Sequence, residues 1–266
     1  MIERHWGLAR RAFANSPDPE YVYRTSAFAE GMARLLYDAT ELRGGLSLIT
    51  GEIGCGKTML AQAMATQLAG SPADVMILSY PKMTASQLLA RLAEGLGITD
   101  PPRQKLALVE AIGRRLADLH RNARRPVLVV DEAQLASPSL LEEIRLLTNF
   151  EDRQDKHLHV VLLGQPELRE RVRKRPQIDQ RVSLRFHVEP MERDDVRGYV
   201  EHRLRVAGGD AARMFSPEAV DTLGERSGGV PRRLNTLATQ SLFVGAMRSL
   251  HQIDAELVRD VADDQE

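Results

Sequence analysis

Residues 51–58 read Gly51-Glu52-Ile53-Gly54-Cys55-Gly56-Lys57-Thr58 and fill every fixed position of the phosphate-binding pattern G-x-x-x-x-G-K-S/T. An apolar run over 45–50 precedes this stretch, and apolar residues recur at helical spacing over 59–68. The order of strand, glycine loop and helix lets backbone N–H groups and the positive end of a helix dipole face one anion. The stretch therefore predicts an α/β fold with a nucleoside triphosphate site.

Two side chains of this P-loop (51–58) have specific expected roles. Lys57 is expected to reach the β- and γ-phosphates, and Thr58 to offer its hydroxyl to Mg²⁺. Cys55, the single cysteine, excludes an internal disulfide and is expected to be a small filler. The residues predicted here to bind the nucleotide are Gly51, Glu52, Ile53, Gly54, Cys55, Gly56, Lys57, Thr58 and Met59.

An acidic pair follows a second apolar run. Val127-Leu128-Val129-Val130 is typical of a central parallel strand, and it ends in Asp131-Glu132. Open α/β sheets bind their ligands at the carboxyl ends of such strands. Asp131 is expected to hold the Mg²⁺ shell, and Glu132 to orient and deprotonate the attacking water. A solvated acidic turn is the alternative, and the P-loop argues against it.

Composition limits the class of protein. The chain has 266 residues, 43% of them hydrophobic, and a formal net charge of −1. It contains no run of about 20 apolar residues and no signal-peptide layout at its start, so we expect a globular cytoplasmic protein without membrane insertion. The balanced charge argues against a general attraction to polyanions, although local basic clusters leave DNA as a possible partner.

Periodicity divides the chain into two parts. Strands are predicted over 45–50, 75–78, 127–130, 159–163 and 184–188, with helices between them. From Met191 onward the pattern is helical only. We therefore predict a nucleotide-binding domain over 1–190, with an N-terminal arm over 1–25, and a helical domain over 191–266.

Further motifs point to a family. They are Trp6-Gly7-Leu8, Pro17-Asp18-Pro19, Tyr21-Val22-Tyr23, Val130-Asp131-Glu132-Ala133-Gln134, the run 141–147, Gly164-Gln165-Pro166-Glu167-Leu168 and Gly229-Val230-Pro231-Arg232-Arg233-Leu234-Asn235. In this order they resemble the ExeA/GspA-like group of AAA+ ATPases, which is related to transposition ATPases of the TniB/TnsC type. The resemblance implies a P-loop AAA+ fold, a three-layer αβα parallel sheet with a C-terminal all-helical lid, and ATP and Mg²⁺ as ligands.

The resemblance also implies roles for single residues. Gln165 matches the sensor-1 position, and Arg232 matches sensor 2, which contacts the phosphates from the lid. The arginine finger, which reaches a neighbour's ATP, is assigned to Arg181, with Arg185 next. Tyr23 is expected near the adenine base, and core packing is its alternative. For Gln165 the alternative is a turn residue before proline, and for the arginines it is a solvated surface.

The implied function is binding and hydrolysis of Mg-ATP at the subunit interfaces of an ATP-dependent homo-oligomer, a ring or a filament. This would drive or regulate assembly of a protein partner, as in secretion. One alternative is an ATP-dependent DNA-binding regulator of transposition, and another is a slow nucleotide-gated switch. ExeA-like proteins continue into a membrane span after the helical domain. This sequence stops at Glu266, after its helical domain, so we expect a stand-alone ATPase here. Ser79-Tyr80-Pro81 replaces the polar residue that can restrain the catalytic glutamate in relatives, so control of Glu132 is expected to differ.

Overall fold

The computed structural model describes residues 2–15, 18–42, 45–153 and 155–265. The chain divides into two compact units. A sheet unit contains Glu30–Gly51 and Leu60–Val188. A helical unit contains the chain through Ala29, the segment Glu52–Met59 and the chain from Glu189 onward. The P-loop therefore falls mostly in the helical unit, whereas the acidic pair falls in the sheet unit.

The strands of the described residues form one parallel sheet. They are β1 (Leu46–Gly51), β2 (Val75–Leu78), β3 (Val127–Val130), β4 (His159–Gly164) and β5 (Val182–Val188), in the spatial order β2-β3-β4-β1-β5. β1, β3 and β4 are buried along their whole length, as expected for central strands of a parallel sheet. Because all five strands are parallel, the carboxyl ends of β1, β3 and β4 lie at the same edge of the sheet.

Helices separate the strands along the chain and then continue alone. They are α1 (Ile2–Trp6), α2 (Ser26–Tyr37), α3 (Lys57–Leu68), α4 (Ala85–Gly95), α5 (Lys105–Arg121), α6 (Pro138–Leu147), α7 (Pro166–Arg173), α8 (Pro176–Asp179), α9 (Arg193–Val206), α10 (Ala211–Met214), α11 (Pro217–Ser227), α12 (Pro231–Met247) and α13 (Ala255–Asp263). Each unit has its own apolar core. Aliphatic residues of α4, α5, α6 and the central strands fill one, and residues of α9 and α11–α13 fill the other.

The N-terminal arm packs within the helical unit around a buried arginine. Arg203 of α9 is 3% exposed and donates hydrogen bonds to the carbonyls of Ala12 and Ala14, at 2.8 and 2.5 Å. Its guanidinium lies 4.5 Å from the ring centre of Tyr21. Burial lowers the pKa of Arg203 below its ordinary value. The arm is thus held by charge-assisted hydrogen bonds and a cation–π contact.

These observations confirm the predicted parallel α/β sheet flanked by helices. β5 begins at Val182, not near Leu184, and an isolated bridge joins Phe215 to Ile253 in the region predicted to be helical only. Pro17 of the arm motif lies outside the described residues. The predicted division at residue 190 stays a prediction.

Candidate nucleotide site

The P-loop residues of the helical unit form a tight turn around a buried lysine. Lys57 is 6% exposed and donates a hydrogen bond from Nζ to the carbonyl oxygen of Glu52 at 2.8 Å. Gly54 and Gly56 have backbone φ angles of +87° and +94°. The hydroxyl-bearing Thr58 is exposed, and Ile53 is also exposed. Burial raises the pKa of the Cys55 thiol, which lowers the fraction present as the reactive thiolate.

Gly54 provides the contact between the P-loop and Arg232. The Arg232 amide donates to the Gly54 carbonyl at 3.3 Å. A Cβ placed on Gly54 would lie 2.6 Å from the Cβ of Arg232, closer than two such atoms can approach. The guanidinium of Arg232 belongs to an exposed side chain at the start of α12. The structure thus brings the proposed sensor 2 onto the phosphate-binding loop through the backbone.

We expect Gly54→Ala to lower the unfolding free energy by about 2 kcal/mol, and to weaken ATP binding, because the added methyl both strains a left-handed backbone and strikes Arg232. Gly70→Ala is the matched control, since Gly70 has a φ of +77° but open space around its Cβ position. Thermal unfolding and ATP titration of both variants separate the clash from the backbone strain. Equal losses in the two variants would contradict the role assigned to Gly54.

The acidic pair of the sheet unit follows β3 in an unusual backbone conformation. Asp131 is 3% exposed, and its amide donates to the Leu78 carbonyl at 2.8 Å. Glu132 has a φ of +52°, in the left-handed region that costs a non-glycine residue free energy. Its amide donates to Oδ1 of Asp131 at 2.8 Å. A strained backbone of this kind persists only where surrounding contacts maintain it. Such residues concentrate at functional sites.

Gln134 links Glu132 to the start of α7. Its Nε2 donates to Oε2 of Glu132 at 2.6 Å, and its Oε1 accepts from the amide of Gln165 at 3.2 Å. The approach requires Gly164, because a Cβ there would lie 2.7 Å from Oε1 of Gln134. Gln134 therefore connects the predicted catalytic base to the predicted sensor-1 residue, a role that no motif in the sequence predicts. Its position two residues after Glu132 was the available signal.

Arg171 of α7 holds the turn that carries Gln134. Its guanidinium donates to the carbonyls of Gln134 and Ala136, the latter at 2.5 Å. The side chain is only partly exposed. Residues 169–175 are rich in arginine and lysine, and Arg171 is the one among them that holds the turn after β3 in place.

We expect Gln134→Met, a change of similar size without the amide, to lower kcat for ATP about tenfold while leaving ATP affinity unchanged. The reason is that the Glu132 carboxylate loses the donor that orients it. The measurement is steady-state phosphate release together with ATP titration, and exposed Gln177→Met is the control. An unchanged kcat, or a loss confined to affinity, would show that Gln134 does not position Glu132.

The two arginine-finger candidates differ in their contacts. Arg185 donates to the carbonyl and carboxylate oxygens of Asp179, at 2.7 and 2.9 Å, and to the Val182 carbonyl at 3.2 Å. Within the described part of the chain, the guanidinium of Arg181 makes no hydrogen bond or ion pair. Arg181 is thus the candidate whose guanidinium is less engaged by its own chain.

Tyr23 packs on α9 in the helical unit. Its ring lies edge-on to Tyr199, with ring centres 6.2 Å apart, and 5.8 Å from the ring centre of His202. A Cβ on Gly198 would strike its hydroxyl, so the glycine makes room for this tyrosine. The contacts match the core-packing alternative, and adenine contact by Tyr23 stays a prediction.

No helix in the ranges described above is both long and apolar enough to cross a membrane.

Sequence comparison finds the family described as an AAA domain over residues 41–172. Two curated relatives illustrate the similarity. General secretion pathway protein A of Aeromonas hydrophila is 36% identical over 95% of this chain and 46% of its own length. ATP-dependent target DNA activator B of Escherichia phage Mu is 27% identical over 62% of this chain and 48% of its own. The chain thus spans about half the length of these relatives.

Solved structures share the fold at low sequence identity. The structure of the Aeropyrum pernix ORC2 protein in ADPNP-ADP complexes has a TM-score of 0.71 at 16% identity. The similarity covers 97% of this chain and 72% of the ORC2 chain. Drosophila ORC bound to DNA has a TM-score of 0.74 at 17% identity, covering 98% and 66%. From the P-loop, the strand order, the family match over residues 41–172 and the 36% identity to general secretion pathway protein A along 95% of this chain, the chain belongs to the AAA+ ATPases, in the group of that protein.

Proposed function

We propose that this chain binds and hydrolyses Mg-ATP, and that its nucleotide state drives or regulates the assembly of a partner protein complex. Binding is supported by the P-loop, in which a buried lysine and two left-handed glycines form a cradle for phosphates. Hydrolysis is supported by one observation above all. Glu132 is kept in a costly backbone conformation with its carboxylate oriented by Gln134, as a general base requires.

The donor set fits magnesium. Asp131 is a buried carboxylate and Thr58 an exposed hydroxyl, and Mg²⁺ prefers such hard oxygen ligands. In this proposal Asp131 and Thr58 would hold the ion. When bound, Mg²⁺ neutralises charge that develops on the phosphates.

The chain's own groups perform the remaining steps. Glu132 orients a water for in-line attack on the γ-phosphorus and accepts its proton, while the bond from that phosphorus to the β–γ bridging oxygen breaks and ADP leaves. Lys57 stabilises the charge on the β- and γ-phosphate oxygens, and Gln165 contacts the γ-phosphate or the water. Arg232 contacts the phosphates, so that release of phosphate alters its contacts.

We further propose that catalysis requires a second subunit. Arg181 lacks a partner for its guanidinium within the described residues, and a planar guanidinium suits the charge of a phosphoryl transition state. In a homo-oligomer, ring or filament, Arg181 of one subunit would complete the site of the next. Hydrolysis would then depend on assembly.

Mixing two inactive variants tests this arrangement. Glu132→Gln keeps the finger but lacks the base, and Arg181→Ala keeps the base but lacks the finger. Equal amounts of the two are expected to recover up to about a quarter of wild-type turnover, because only sites that combine a Glu132 with a neighbour's Arg181 are complete. Arg185→Ala serves as the control. No recovery from co-assembled subunits would remove Arg181 from the role, and a fully active Arg181→Ala would do so as well.

A DNA-directed function is the second candidate. It is favoured by the similarity to a phage protein whose name is ATP-dependent target DNA activator B. The basic residues of α5 and the following loop give it little support, because contacts within the chain engage most of them. These contacts are Arg114 with Glu110, Arg115 with the Leu96 carbonyl, Arg121 with Asp118, Arg124 with Asp74 and Arg125 with the Thr40 carbonyl.

Fluorescence anisotropy of labelled duplex DNA separates the two candidates. ATP-dependent binding that weakens steeply with salt would support the DNA-directed function, since phosphate contacts release counterions. If the protein does not bind DNA at low salt with ATP present, the DNA-directed function is excluded and the function on a partner protein complex remains. The Lys57→Ala variant is the control for dependence on ATP.

A further inference from the structure

A cluster of histidine and aspartate side chains lies in the sheet unit away from the strand ends that carry the acidic pair. His120 belongs to the last turn of α5, while Asp152, Asp155 and His157 belong to the segment between α6 and β4. That segment leads into the first residue of β4, whereas Gln165 follows the last. A six-residue strand spans about 20 Å, so the cluster is remote from the predicted catalytic residues of this unit.

The ligand atoms of three of these residues converge. One atom each of His120, Asp152 and His157 lies within 4.8 Å of the other two. Oδ2 of Asp152 is 3.2 Å from Nε2 of His120 and 3.5 Å from Nε2 of His157. Bonds of about 2.0–2.1 Å to a tetrahedral ion separate neighbouring ligands by roughly 3.3 Å. The two distances therefore match the spacing around such an ion.

His157 supplies a second observation, because no hydrogen bond satisfies its buried Nε2 within the described residues. Its side chain is 10% exposed. Buried polar atoms in folded proteins are nearly always satisfied, and an ion is one explanation when they are not. The ring stacks on His120, with ring centres 4.5 Å apart, which brings both imidazoles to the same carboxylate.

The chemistry of the set selects the ion. Two imidazoles with a carboxylate suit Zn²⁺, whereas magnesium and calcium prefer oxygen ligands only. Oδ2 of Asp155 lies 3.8 Å from Nε2 of His120 and is near enough to supply a fourth ligand. The intervening Lys156 pairs with Glu151, which offsets the repulsion of its charge toward a cation.

We propose that His120, Asp152 and His157, with Asp155 as fourth ligand, form a structural zinc site that fastens the segment before β4 to the end of α5. The site is separate from the nucleotide site. Bound zinc stabilises the sheet unit, and zinc binding is independent of ATP.

Zinc titration of the full-length, chelator-treated protein without nucleotide tests the proposal. In competition with a chromogenic zinc indicator at pH 7.5, we expect one Zn²⁺ per chain, and a rise in Tm of about 5 °C at a zinc concentration 100 times Kd. Affinity falls when the pH is lowered to 5.5, because imidazole must be neutral to bind. Co²⁺ in place of Zn²⁺ is expected to give the visible absorption of a tetrahedral site.

The double variant His120→Gln with His157→Gln is expected to bind zinc at least about 100-fold more weakly, since loss of a supporting residue alone costs 10–100-fold. The matched control replaces the exposed His5 and His251 by Gln, and Cys55→Ser removes the single thiol. Asp152→Asn, at a half-exposed side chain, provides a second test if the double variant does not fold. Zinc binding that survives the His120 and His157 double substitution, or Asp152→Asn, overturns the proposal. A chain that takes up no stoichiometric zinc also overturns it and leaves an ion-pair cluster.

Discussion

Glu132→Gln is expected to lower the rate of ATP hydrolysis at least about 100-fold while ATP affinity stays within about twofold of the wild type. Glutamine has the shape of glutamate but cannot accept the proton of the attacking water, and general bases contribute about 10²–10⁴-fold. The hydrogen bond from Gln134 is retained, because the amide oxygen still accepts it. Phosphate release at saturating ATP and titration with a fluorescent ATP analogue give the two quantities.

The exposed Glu94→Gln on α4 is the matched control for this variant. It removes the same charge from the surface of the same unit. If Glu132→Gln hydrolysed ATP at the wild-type rate, Glu132 would not be the base, and a slow nucleotide-gated switch would become the better account of the protein.

Lys57→Ala is expected to weaken ATP binding by about 100-fold or more. The ammonium group is held inside the P-loop by the Glu52 carbonyl, and removal of a buried charged partner commonly costs about 2–5 kcal/mol of binding free energy. The measurement is equilibrium binding of ATP in the presence of Mg²⁺. Lys82→Ala, which removes an exposed ammonium outside the P-loop, is the control.

Retention of ATP affinity by Lys57→Ala, with the fold intact by thermal unfolding, would place the nucleotide somewhere other than the P-loop. This result would also remove the reason for assigning Thr58 and Arg232 to the site. The variant therefore tests binding, whereas Glu132→Gln tests chemistry.

The sequence predicts those features of the fold that are written in short stretches. Val127–Val130 is fully buried and lies inside a parallel sheet, because only a strand covered on both faces tolerates an unbroken apolar run. The P-loop is equally local, since its glycines and lysine are fixed by spacing. The start of β5 was less well predicted because its alternating burial gives a weaker signal.

Contacts between distant residues could not be predicted in the same way. Gln134 reaches Gln165 only because Glu132 is left-handed and Gly164 lacks a side chain, and neither condition is visible in a local pattern. Arg203 presents a similar case. It lies in a charged helical stretch, yet its partners in the arm are 191 and 189 residues away along the chain.

The central claim, an ATPase whose site is completed by a neighbouring subunit, is tested most directly by ATP hydrolysis per subunit against protein concentration. Light scattering on the same samples gives the mass of the assembly. We predict that turnover per subunit rises with concentration and that the rise coincides with assembly. Turnover that is constant per subunit while the protein stays monomeric would contradict the claim.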